Sequence, residues 1–78
     1  MYEHYTATKE QATEEYKKAL LELKKTGFSV EFRKRIESYA NQCKNSPYYS
    51  EPVYYGNICA YILSEKQDMI NKYESDNR

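Results

Sequence analysis

The sequence predicts a small all-α protein, an antiparallel three-helix bundle. Three observations carry this. Apolar residues recur at helical spacing in three separate segments. Gly27 and the Asn45-Ser46-Pro47 run divide those segments. Thr8, followed three residues later by Gln11, has the spacing of a capping box, in which each side chain satisfies the other residue's orphan backbone donor.

The first helix is expected from about Lys9 to Lys25. Ala12, Tyr16, Ala19, Leu20 and Leu23 form its apolar stripe, and Glu14 with Lys18 makes an i,i+4 pair on the wet side. Lys24 and Lys25 complement the negative end of the helix dipole. Gly27 is expected as the left-handed residue that stops the helix, with Phe28 folding back onto Leu23 in a Schellman cap.

The second helix is expected from about Val30 to Lys44, with Ser29 as N-cap. Its stripe is Phe32, Ile36, Tyr39, Ala40 and Cys43. Pro47 ends it, because the residue before a proline is pushed out of the α region.

The third helix admits two starts. Pro52 is tolerated in a first turn, and a helix from there runs to about Tyr73. Alternatively Asn57 is the N-cap and residues 47–56 form a tyrosine-bearing loop, because Gly56 costs a helix about 1 kcal/mol relative to alanine. Ile58, Ile62, Met69 and Tyr73 form one row, with Cys59, Leu63 and Ile70 beside it.

Length allows a single domain over residues 1–78, with loose ends at about 1–7 and 74–78. Valine, isoleucine, leucine and phenylalanine together supply only 12 of the 78 residues. Zero formal net charge favours collapse nonetheless, and ten tyrosines add bulky rings that must help build the core. So thin an interior makes self-association, as a homodimer, one route to more buried area. No apolar run approaches the ~20 residues needed to span a bilayer, and no signal peptide is legible, so a cytoplasmic location is expected.

Chemistry-bearing constellations are missing. His4 is the only histidine, and Cys43 and Cys59 fall on apolar stripes as inert thiols. Zinc requires more close-spaced ligands than these, and Glu10 with Glu14 reads as a solvated face. Two glycines cannot build a phosphate-cradling loop. No enzyme, cofactor or metal site is expected.

Two surface features suggest contact. Tyr48, Tyr49, Tyr54 and Tyr55 crowd the turn around Pro47 and Pro52, with Tyr61 two helical turns beyond Tyr54. Tyrosine offers rigid contact area at low entropic cost. The alternative is that these rings complete an aliphatic-poor core. Lys24, Lys25, Arg33, Lys34 and Arg35 bracket the first turn as a patch for an anion or an acidic partner, or as ordinary solvated charge. Residues 27–45 carry an excess of two positive charges, and residues 46–78 an excess of two negative ones. The leading expectation is therefore a non-enzymatic interaction protein, an inhibitor, adaptor or regulator that binds another protein through the tyrosine-rich turn and the third helix. Its size and composition have the general character of small phage-encoded regulators. The second expectation is a nucleotide or nucleic-acid binder in which tyrosines stack on bases and the basic patch holds phosphates.

Overall fold

A computed structural model describes residues 6–76. Three helices follow in order: α1 (Lys9–Leu23), α2 (Ser29–Lys44) and α3 (Glu51–Asp76). They form a small three-helix bundle, as the periodicity predicts. At 1.5 Å per residue α3 is about 39 Å long, close to the molecule's longest extent of 42 Å. The radius of gyration, 13.4 Å, exceeds the about 11.5 Å of an equally long globule. The elongation is that of one long helix flanked by two shorter ones.

Helix α3 is the spine. Both α1 and α2 pack along it, while they touch each other little. α1 runs parallel to α3. At one end the Ala7 N–H donates to the Pro52 carbonyl (3.0 Å), and near the other Lys66 meets Glu22 (2.7 Å). α2 runs antiparallel to α3 along another side, with Arg35 near Glu65 and Tyr39 near Tyr61. The core joins Ala12, Ala19 and Leu23 of α1, Phe32 and Ile36 of α2, and Tyr54, Ile58, Ile62 and Met69 of α3. All but Tyr54 fall on the predicted stripes. Ala12 and Ala19 are small, which lets α1 approach α3 closely.

The capping box forms as expected: the Thr8 N–H donates to Gln11 Oε1 (2.9 Å) and the Gln11 N–H to Thr8 Oγ1 (3.1 Å). The first turn differs from expectation. α1 ends at Leu23, two residues early, because Thr26 captures the Leu23 carbonyl with both its N–H (3.0 Å) and its hydroxyl (2.7 Å). The Phe28 N–H then donates to Thr26 Oγ1 (3.1 Å), not to Leu23 as a Schellman cap requires. Gly27 does take the left-handed conformation, with φ of 80°. Ser29 is already inside α2. Phe28 is the cap residue, with no side-chain cap bond, and its carbonyl accepts from Phe32 N–H (2.9 Å).

The Asn57 start is overturned. α3 begins at Glu51, and Gly56 is buried inside it. Packing of Tyr54, Ile58 and Ile62 outweighs the backbone cost of one mid-helix glycine. At the far end α3 continues through residues 74–76, and at the near end the Ala7 N–H is bonded to Pro52; residues 1–5 and 77–78 lie outside the described residues. Lys18 pairs loosely with Glu15 (4.0 Å) rather than with Glu14. No described helix is long and apolar enough to cross a membrane.

Candidate functional site

Because α1 and α2 lean on α3 rather than on each other, a groove of about 260 Å³ opens between them. Ala12, Thr13 and Tyr16 form its α1 wall, and Ile36, Glu37 and Ala40 its α2 wall. Its floor is Tyr54, Tyr55, Ile58 and Ile62 of α3. Ala12 and Ala40 are too small to bridge the gap. Toward the first turn the groove closes where the Tyr16 ring lies against Phe32 (centroids 6.0 Å apart, planes at 23°). Toward the second turn it stays open.

The open end meets the tyrosine turn. Ser46 shapes that turn: its carbonyl accepts from the Tyr49 N–H (3.3 Å) and its hydroxyl from the Tyr48 N–H (3.2 Å). The four tyrosines then part company. Tyr48 is 89% exposed and Tyr49 44%. Tyr54 is buried at 8% and Tyr55 is half-buried. Their rings nonetheless form a chain. Tyr49 and Tyr54 centroids are 5.5 Å apart with planes at 58°, and Tyr54 and Tyr55 are 4.9 Å apart edge to face. Lys44 Nζ lies 5.8 Å from the Tyr54 ring centroid. Tyr54 also lines a second hollow, of about 150 Å³, with Cys43, Tyr48, Tyr49 and Val53. It is thus the shared wall between turn and groove. Burial raises its phenol pKa, with Tyr55 adding to the effect, so the ring stays neutral over the physiological range.

Of the predicted tyrosine surface, then, Tyr48 and Tyr49 are presented and Tyr54 belongs to the core. Tyr61 belongs elsewhere. It stacks on Tyr39 (4.1 Å, planes at 10°), beside Glu65. Burial raises the pKa of both phenols, with a hydrogen bond to Cys43 adding at Tyr39 and the Glu65 charge at Tyr61.

The basic patch is dispersed. Arg35 is already engaged, Nη1 with Glu65 (2.8 Å) and Nη2 with Glu31 (2.7 Å), and these bonds raise its pKa further. That occupies it as an anion ligand: the Glu31 pair is an i,i+4 spacing legible in the sequence, whereas Glu65 lies thirty residues away on α3. Lys25 lines a hollow with Leu21, Ile70 and Tyr73 on another flank. Lys24, Arg33 and Lys34 stay exposed.

Both cysteines are free and half-buried. Cys59 faces α1, where burial and then the Glu15 charge raise its thiol pKa, making the thiolate scarce. Among the described residues no three His, Cys, Asp or Glu side chains converge on a point where a metal ion would sit. His4 lies outside the described residues. The residues that sequence reading missed are the groove's walls and floor, above all Ala12, Thr13, Glu37 and Ala40. The signal available was two alanines on facing apolar stripes, which marks where two helices cannot fill the space between them.

Compared with protein-family models, with curated proteins and with solved structures, the chain matches none.

Proposed function

We propose that this protein is a non-enzymatic interaction module that holds a helical segment of another protein in the groove between α1 and α2, with Tyr48 and Tyr49 making further contact at the open end. One observation carries the reading: an apolar groove and an exposed aromatic turn adjoin through the buried ring of Tyr54, which lines both. A helix laid in such a groove inserts side chains at i, i+3, i+4 and i+7. Floor residues Ile58 and Ile62 are fixed on the longest helix, so the site is largely preorganised. Exposed tyrosines beside it lose little entropy on binding.

The nucleic-acid reading draws less support. Tyr48 and Tyr49, the exposed rings available for stacking, stand at the end opposite the first-turn cations Lys24 and Arg33.

A photo-crosslinking residue at Glu37, on the groove rim, tests the module. It should capture a partner polypeptide from the native host, and Ala40→Leu, which fills the groove, should abolish that capture while the helical content is unchanged. Capture that survives Ala40→Leu would rule the groove out as the binding site.

A further inference from the structure

The rim of the groove is charged on one side of the balance, and this specifies its occupant. Thr13 and Glu37 mark the two rims. Residues one helical turn apart share a face. Lys9 and Lys17 therefore flank Thr13, and Lys24 follows one turn beyond Leu20 on the same flank. On α2, Arg33 precedes Glu37 by one turn and Lys44 follows Ala40 by one. All five cations are exposed. Among the described residues none of the five comes within 4.0 Å of a carboxylate. Glu37 is the one acid that lines the groove itself, and Glu10 lies one turn from Thr13. Glu10 and Glu51 stand beside Lys9 at the tyrosine end, where they dilute the positive field.

The acids of α1 lie mainly on its opposite flank. Glu10, Glu14 and Glu15 line a hollow there with Cys59 and Leu63, and Glu22 pairs with Lys66. Across α1, Lys9 and Lys17 thus lie toward the groove, while Glu14, Glu15 and Glu22 lie away from it, joined there by Lys18.

We propose that the groove selects an acidic amphipathic helix of a partner protein, its apolar ridge seated against the half-buried Tyr16, Ala40 and Tyr55 above Ile58 and its carboxylates facing Lys17, Arg33 and Lys44. The inference rests on the groove reading above and adds the partner's chemistry. Opposite charges across an interface steer association and reject partners of the wrong sign.

Two synthetic helical peptides test it. They share one leucine face at i, i+3, i+4 and i+7, and carry either glutamate or lysine at the remaining positions. Binding to the full chain is followed through the methyl NMR signals of Ala12, Ala40, Ile58 and Ile62. The glutamate peptide should shift these signals and bind about tenfold or more tighter than the lysine peptide at low salt. That preference should shrink at ~0.5 M salt. Lys17→Glu combined with Arg33→Glu should erase the preference, since both residues are exposed and the fold is kept. Ala40→Leu should weaken both peptides. Equal affinity for the two peptides would overturn the acidic selection and leave the groove reading standing. No methyl shift with either peptide would overturn the groove reading itself. Thymidine oligonucleotides that shift the same methyls and displace the glutamate peptide would overturn the proposal in favour of a nucleic-acid site.

Discussion

Ile62 and Leu23 are both fully buried, yet truncating them should cost different amounts. Ile62→Ala and Leu23→Ala each delete three carbons, worth about 2.4 kcal/mol of transfer free energy at about 0.8 kcal/mol per group. The remainder depends on the space left behind. Leu23 lies in the closed part of the core, where α1 meets the first turn. A residual void of roughly 60 Å³ there adds about 1.4 kcal/mol at about 24 cal/mol per Å³, for a total near 4 kcal/mol. Ile62 forms part of the groove floor. Space vacated there merges with the groove directly above it, so the void penalty largely vanishes and the cost should stay near 2.5 kcal/mol. Both are large for a chain whose whole stability is about 4–12 kcal/mol. Urea unfolding followed by far-ultraviolet circular dichroism reads the difference as a larger midpoint shift for Leu23→Ala at unchanged slope. On heating, the two variants should differ by several degrees, at about 4–8 °C per kcal/mol for a domain this size. A cost for Ile62→Ala equal to or above that of Leu23→Ala would refute an open groove, since a sealed floor leaves a sealed void. A cost below about 1 kcal/mol would refute Ile62 as a core residue.

Three further outcomes follow from local geometry. Gly27 has φ of 80° and nothing within 4 Å of where a Cβ would sit, so Gly27→Ala should destabilise by about 1–2 kcal/mol through backbone strain alone, and Gly27→Asn by less; equal stability of all three proteins in urea would contradict the strain. Arg35 bridges two carboxylates at a partly exposed site, so Arg35→Met should lower the thermal midpoint at low ionic strength and the loss should shrink near ~1 M salt; a salt-independent loss would show that packing of the stem matters and the charges do not. Burial raises the phenol pKa values of Tyr39, Tyr54 and Tyr61. The folded protein therefore keeps protons that the unfolded chain releases near pH ~10. Below that pH both states are protonated and stability is constant in these groups; above it, unfolding releases protons and stability falls as pH rises toward the folded-state values. Thermal midpoints from neutral to alkaline pH should show this decline, and Tyr39→Phe should flatten it; an unchanged alkaline slope in that variant would refute the assignment to Tyr39.

The chain itself determined three helices and most of their core faces, because helical periodicity and caps are local properties. Thr8 and Gln11 are three residues apart in any helix that starts there, and Phe32 and Ile36 share a stripe whatever they pack against. Gly27 was legible as a left-handed stop for the same reason. The mode of capping was not, since Thr26 competes with the backbone for the Leu23 carbonyl and the winner depends on where Phe28 must go. Tyr54 and Tyr55 are adjacent in sequence, and only the approach of α2 decided that Tyr54 would be buried more deeply. The Glu31 partner of Arg35 was legible at i,i+4, and Glu65 came only with α3. The groove was decided wholly by tertiary structure: α1 and α2 each satisfy their apolar stripe against α3, and two alanines leave them nothing with which to close the gap between themselves.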